Sequence, residues 1–145
     1  MSPIIRNILA VIGGIIAGSI VNMGLINLSG SIIPPPADAD MTTPDGLKAA
    51  MPLMEPKHFL MPFLAHVLGT FTGALVAALI AVNRQMTYAF VIGAFFFVGG
   101  IAAAVMIPAP MWFIVADLAL AYFPMAYVAG RIAMRNRPVL NDSVL

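Results

Sequence analysis

The chain has 145 residues, of which 61% are hydrophobic and 9% are charged. Soluble domains carry roughly 25% charged residues, so this composition excludes an ordinary water-soluble domain and predicts the lipid bilayer as its surroundings. The formal net charge of +1 gives no basic footprint for nucleic acid, and the lack of cysteine excludes disulfides, thiolate metal sites and thiol redox chemistry.

Four long apolar runs predict an all-α polytopic membrane protein, folded as one membrane domain over residues 1–145. Each run is close to the ~20 residues that a helix needs to cross the hydrocarbon core. The first is too long for a secretory signal, and we expect it to be retained. Short connections predict an antiparallel four-transmembrane-helix bundle. The predicted spans are approximately 4–28, 59–82, 86–107 and 111–134, and the long connection is 29–57.

Glycines recur at helix-packing spacings along the first three spans. A four-residue spacing clears one stripe of side chains and lets two backbones approach closely. This pattern fits packing within the bundle, and self-association into a homo-oligomer is the alternative. In the fourth span, Pro124 predicts a kink because it leaves the carbonyl of Leu120 without its helical donor. The glycines concerned are Gly14 and Gly18, Gly69 and Gly73, and Gly93 and Gly100.

The arginines predict the orientation of the spans. All five fall on one side of the predicted bundle, and the positive-inside rule makes that side cytoplasmic. Both termini are then cytoplasmic, and the connection 29–57 lies outside. The five residues are Arg6, Arg84, Arg131, Arg135 and Arg137.

The outer connection carries a polyproline stretch at 34–36 followed by a helix-start pattern, Thr43, Pro44 and Asp45. We expect a short interfacial helix there, although Pro52 would disturb its end. Such a helix lies on the lipid surface or covers the bundle. A simple capping loop is the alternative to a dedicated lid.

Three polar residues on different spans are predicted at one depth. Asn22, His66 and Asp117 each fall roughly 8 to 11 Å below the outer interface, counted at 1.5 Å per helical residue. A carboxyl group inside a membrane is costly and needs a partner; His66 is the favoured candidate and Lys57 the next. These residues predict an outward-facing pocket for a proton or a small polar solute. A buried clamp that only fixes helix register is the alternative.

Glu55, Lys57 and His58 lie at the predicted outer mouth of the second span. Glu55 and His58 have the three-residue spacing that di-iron bundles use, but a second such pair is absent. A single zinc held by Glu55, His58 and either His66 or Asp117 is one interpretation. A Lys57–Glu55 ion pair is the duller one. The sequence has no phosphate loop, serine nucleophile elbow or HExxH motif, so no cofactor is predicted.

Several short stretches of the chain are distinctive: residues 22–24 (NMG), 33–36 (IPPP), 55–59 (EPKHF), 65–66 (AH) and 108–113 (PAPMWF). Together they resemble a group of small bacterial four-span membrane proteins with no assigned activity. The resemblance covers nearly the whole chain and implies a bacterial inner-membrane location. The small fluoride-channel family has a similar size and span count, but its Ser/Thr-rich filter pattern is missing here.

These observations leave three functional hypotheses. The first is an oligomeric transporter or channel that uses the predicted polar pocket. The second is a non-catalytic accessory or assembly subunit that binds another membrane protein through its glycine faces and outer connection. The third is a metal-dependent membrane enzyme, and an enzyme is less expected than a non-enzyme.

Overall fold

A computed structural model describes residues 2–136, and within that range it contains helices and turns but no strand. Two short 3-10 turns, Met51–Leu53 and Pro56–Phe59, lead into the third helix. Arg137 lies outside the described residues. The α-helices are α1 (Pro3–Ile32), α2 (Pro44–Ala50), α3 (Leu60–Ile80), α4 (Gln85–Met106), α5 (Met111–Leu120) and α6 (Phe123–Arg135).

Four helical segments of residues 2–136 are long and apolar enough to cross a membrane, which confirms the prediction of an all-α chain with four candidate spans. The first is 30 residues long and runs one turn beyond its predicted end at Leu28. The third helix ends at Ile80, because Ala81 turns to an extended conformation. The segments are Pro3–Ile32, Pro56–Ile80, Gln85–Met106 and Met111–Arg135.

The helices α1 and α3 meet backbone to backbone. A Cβ atom added at Gly14 would lie 2.6 Å from the carbonyl oxygen of Gly73, and one added at Gly18 would lie 2.6 Å from that of Gly69. Neither distance leaves room for a side chain. The two glycine pairs therefore permit the close approach of these helices.

Alanine side chains fill the space between α3, α4 and α6. Small side chains allow three helices to approach without large voids, which matters in lipid because apolar burial alone gives no driving force there. Gly93 belongs to the same contact, since a Cβ atom added there would lie 2.8 Å from the Cβ of Ala126. The buried cluster consists of Ala74, Ala77, Ala78, Ala89, Ile92, Ala126, Ala129 and Ala133.

The start of α1 caps the end of α3. The Nε of Arg6 donates to the carbonyl oxygen of Ile80 over 2.8 Å, and the side-chain oxygen of Asn7 accepts from the backbone N–H of Val82 over 3.0 Å. These bonds satisfy backbone groups that the helix end leaves unpaired and place a cation at its negative pole.

The fourth membrane segment is broken between α5 and α6. Pro124 lies in the first turn of α6, where its missing N–H costs nothing, while Ala121 and Tyr122 interrupt the helix. Both interrupting residues are buried. At this break the side chain of Tyr122 points into the protein interior.

The connection between α1 and α3 is ordered by its own polar side chains. The carboxylate of Asp40 accepts from the backbone N–H and hydroxyl of Thr42 and from the hydroxyl of Thr43, over 2.6 to 2.8 Å. These bonds lower the pKa of Asp40 to about 2. Thr43 then caps α2 by accepting from the N–H of Gly46 over 3.1 Å.

Candidate functional site

His66 of α3 contacts Asp117 of α5. The Nδ1 atom of His66 lies 2.8 Å from one carboxylate oxygen of Asp117 and 2.9 Å from the other. The Asp117 side chain is 6% exposed and the His66 side chain 20% exposed. A buried carboxyl group and a partly accessible imidazole thus form one polar unit within the apolar helices.

Tyr122 completes this unit, and sequence reasoning did not identify it. Its hydroxyl donates to Oδ2 of Asp117 over 2.8 Å and lies 3.2 Å from Nδ1 of His66. The ring is 2% exposed, and Gly100 of α4 lies directly against the hydroxyl. The sequence has a proline two residues later and a glycine on the facing helix, which mark a kink but not the direction in which Tyr122 points.

One arrangement of protons is compatible with all of these contacts. An ionised Asp117 accepts from both the hydroxyl of Tyr122 and Nδ1–H of His66, which satisfies all three groups. The Nε2 atom of a neutral His66 is then a free acceptor. No hydrogen bond to Nε2 is present among residues 2–136. Within the same range, Thr70 Oγ1 is the one fully buried side-chain polar atom without a partner, so Nε2 of His66 is not fully buried.

A cavity of about 490 Å³ has His66 and Asp117 in its lining. It lies between the end of α1, the connection that contains α2, the start of α3, and the facing parts of α4 and α5. Leu47, Met51 and Met54 line it from the α2 side, so this segment covers the cavity. The helix α2 and the turn after it are therefore part of the wall of a ligand-sized cavity.

The cavity is more apolar than the polar pocket that the sequence predicts. Asp117 is its one acidic lining residue, and no lysine or arginine lines it within the described part of the chain. Four of the lining residues are methionines, whose flexible thioethers adapt to ligands of different shape. These residues are Met41, Met51, Met54 and Met61.

Asn22 does not join His66 and Asp117, although all three were predicted at one depth. A Cβ atom added at Gly69 would lie 2.9 Å from the Cβ of Asn22, so this residue packs on the α3 backbone. It does not line the cavity, and no hydrogen bond connects it to His66 or Asp117. Asn27 and Ser29, further along α1, line the cavity instead.

The proposed metal ligands Glu55, His58 and His66 do not form one donor set. Within residues 2–136, no group of three or more His, Cys, Asp or Glu side chains is arranged to hold a metal ion. Both ring nitrogens of His58 are engaged, since Nδ1 accepts from the backbone N–H of Glu55 over 2.9 Å and Nε2 lies 3.2 Å from the carbonyl of Pro34. His58 therefore fastens the connection to the start of α3.

The other two residues that the sequence predicts at the outer mouth, Glu55 and Lys57, pair with each other. The Nζ of Lys57 lies 3.0 Å from Oε2 of Glu55, and this cation lowers the pKa of the Glu55 carboxyl group. Both side chains are exposed, so the pair adds little stability. Lys57 is accordingly engaged away from Asp117, for which it was the second candidate partner.

An aromatic cluster adjoins the cavity. The ring of Phe59 lies 5.6 Å from that of Trp112 and 4.9 Å from that of Phe113, measured between centroids, and both phenylalanines line the cavity.

Comparison of the chain with protein-family models, curated proteins and solved structures finds no match. The geometry of this site is thus the basis for inferring function.

Proposed function

We propose that the protein is a small oligomeric transporter or channel in which the His66–Asp117–Tyr122 unit conducts protons and binds a small solute. The observation that carries this proposal is the 2.8 Å contact between His66 and Asp117 in the lining of a cavity of about 490 Å³. Ionisable groups inside membrane helices are costly and commonly mark solute or proton pathways.

The proposed topology is an antiparallel bundle with the cavity facing outwards. As the residue numbers increase along α1, the numbers of the residues that face them on α3 decrease: Arg6 contacts Ile80, and Gly18 contacts Gly69. Arg84 begins α4 beside the arginine-rich end of α6, since Gly130 packs against Met86. The clustering of cations at this end supports cytoplasmic termini. Location in a bacterial inner membrane rests on the resemblance described above.

The chemistry follows from the two sides of the imidazole. Nδ1–H of His66 is directed at Asp117, which leaves Nε2 to take a proton from the cavity. The carboxylate then compensates the imidazolium, so the bound proton adds no unpaired positive charge to the apolar surroundings. Proton binding changes Nε2 from an acceptor to a donor, and this change alters the affinity for a solute.

Movement across the membrane requires a second state of the site. The break at Ala121–Tyr122 interrupts the fourth span next to Asp117 and leaves fewer helical hydrogen bonds to resist bending. Motion of α5 relative to α6 would separate the Tyr122 hydroxyl from Asp117. We propose this break as the hinge of the transport cycle.

Proton flux into liposomes tests the proposal. The purified protein is reconstituted with a pH-sensitive dye inside, and a potassium diffusion potential set with valinomycin drives protons inwards. We expect flux above that of empty liposomes, with at least a tenfold loss in His66→Gln and Asp117→Asn. Gly24→Ala is the control, because a Cβ atom added at Gly24 meets no atom within 4 Å and Gly24 does not line the cavity. Equal flux in the wild type and both site variants, or none above empty liposomes, would contradict the proposal.

A groove on α4 favours the second candidate function, that of a subunit in a larger membrane complex. It is lined by Val91, Phe95, Val98 and Ala102, and a Cβ atom added at Gly99 would meet no atom within 4 Å. This surface can receive a helix from another copy or from another protein. Purification from native membranes in mild detergent tests it, because a stoichiometric second protein would favour the subunit and a homo-oligomer the transporter.

A further inference from the structure

We propose that the cavity binds an uncharged amphipathic molecule that carries a hydroxyl group, and that this hydroxyl donates to Nε2 of His66. A long-chain alcohol or an alkylphenol belongs to this class. The inference rests on the proposed function, since it names the chemical class of the solute at the same site.

The cavity walls exclude a charged ligand. The lining contains no lysine or arginine within residues 2–136 and therefore provides no counterion for an anion. The carboxylate of Asp117 would attract a cation, but its side chain is only 6% exposed behind His66 and Tyr122, so a cation in the cavity would make little direct contact with it. A free ion that entered would lose its hydration without compensation, at a large cost. The body of the ligand must therefore be neutral and largely apolar.

The polar end of the cavity selects the head group. His66 uses Nδ1 to bind Asp117, and its Nε2 is an accessible acceptor. The hydroxyl of Ser29, on the α1 side, donates a hydrogen bond to the carbonyl oxygen of Ile26 over 2.6 Å. His58 is held by Glu55 and Pro34. The amide of Asn27 also lines the cavity, but this residue is exposed, so its amide can bind water. At the buried end of the cavity the unmet requirement is therefore a donor to Nε2 of His66, which a ligand hydroxyl supplies and an ether or a hydrocarbon does not.

The methionines fit an alkyl chain of variable length. A volume of about 490 Å³ lies in the range of cavities that hold a small organic ligand. Thioether side chains repack around flexible apolar groups more easily than branched ones. We therefore expect strong dependence on the hydroxyl group and weak dependence on chain length.

Trp112 provides a direct test, because it is the single tryptophan of the chain and contacts Phe59 and Phe113 of the cavity wall. The protein in phosphatidylcholine nanodiscs is titrated with an ω-bromo long-chain alcohol and, separately, with its methyl ether. Bromine quenches tryptophan on contact. Quenching from the surrounding lipid rises without saturation and is shared by both probes, whereas binding in the cavity saturates.

We expect saturable quenching by the alcohol at a roughly tenfold lower concentration than by the ether, the factor that one hydrogen bond of about 1.4 kcal/mol gives. His66→Phe should remove the preference, and Gly24→Ala, which lies outside the cavity lining, should keep it. The comparison on the unaltered protein needs no variant, so it holds even if His66→Phe fails to fold. Equal midpoints for the two probes, or no saturable phase, would overturn the inference.

The ligand hydroxyl can come from a membrane lipid, such as a diacylglycerol, or from a free solute. Lipid extraction of the purified protein separates these sources: a retained hydroxyl lipid near one per chain indicates the first, and its absence together with saturable quenching indicates the second. Alcohol preference without proton flux would sink the transport function and leave this inference standing. Proton flux together with equal binding of the alcohol and the ether would support the transport function and overturn this inference.

Discussion

Gly100 of α4 lies directly against the side chain of Tyr122 at the break of the fourth membrane segment. A Cβ atom at position 100 would approach the Cζ of Tyr122 to 2.6 Å, which is closer than real side chains pack. The glycine therefore makes the space in which the tyrosine hydroxyl reaches Asp117. Its neighbour Gly99 faces open space on the same helix.

Gly100→Ala should displace Tyr122 and weaken the hydrogen bond to Asp117. Overpacking of this kind costs about 1–3 kcal/mol, and we expect a lower midpoint of thermal unfolding in detergent. Gly99→Ala is the matched control, with an unchanged or slightly higher midpoint, since alanine favours helix. Equal midpoints for the two variants would show that Tyr122 does not depend on this space.

The sequence predicts how deep a residue lies along its helix, but not the direction in which its side chain points. Counting residues along each helix places His66, Asp117 and Asn22 at one depth, and the first two do meet. Rotation about the helix axis is set by packing, however, and the Gly18–Gly69 contact turns Asn22 onto the α3 backbone. Depth follows from a residue count, whereas direction depends on which faces fit together.

Tyr122 and the apolar lining were beyond prediction for a related reason. Pro124 indicates a kink, but how the chain turns at the kink depends on the room that Gly100 leaves on another helix. The cavity is likewise enclosed by residues from the connection, such as Met41 and Met54, whose positions follow from the Asp40 turn and the His58 contact. Such long-range arrangements carry no periodic signal.

Gly18→Ala should separate α1 from α3. The added methyl group would lie 2.6 Å from the carbonyl oxygen of Gly69 and 2.7 Å from the ring of Phe96, and a backbone atom cannot move aside as a side chain can. We expect the free energy of unfolding to fall by about 1–3 kcal/mol. Gly24→Ala on the same helix meets no atom within 4 Å and serves as control. Similar unfolding midpoints for both variants would contradict the close glycine contact.

The turn around Asp40 should loosen in acid. Its folded-state pKa, about 2, lies below the ordinary value of 3.8, so the contribution of the carboxylate is complete above 3.8 and is lost as the pH falls through about 2. The carbon chemical shift of the Asp40 carboxyl group should titrate in that lower range. Asp40→Asn should abolish this titration and weaken the cap of α2. A midpoint at 3.8 or higher would show that Thr42 and Thr43 do not bind the carboxylate.

Thr70→Val should stabilise the protein. Thr70 is 1% exposed on α3, and its hydroxyl is buried without a hydrogen-bond partner, which is an unfavourable state. Valine has nearly the same shape, so the change removes the unpaired group without leaving a cavity. Relief of the desolvation penalty is worth about 1–3 kcal/mol, visible as a higher unfolding midpoint in detergent. Thr72→Val is the matched control, because Thr72 lies on the same helix but is only partly buried. If Thr70→Val instead lowers the midpoint more than Thr72→Val does, the hydroxyl bonds back to the carbonyl of His66 one turn earlier. In that case the Thr70 hydroxyl helps to hold α3 in place at His66.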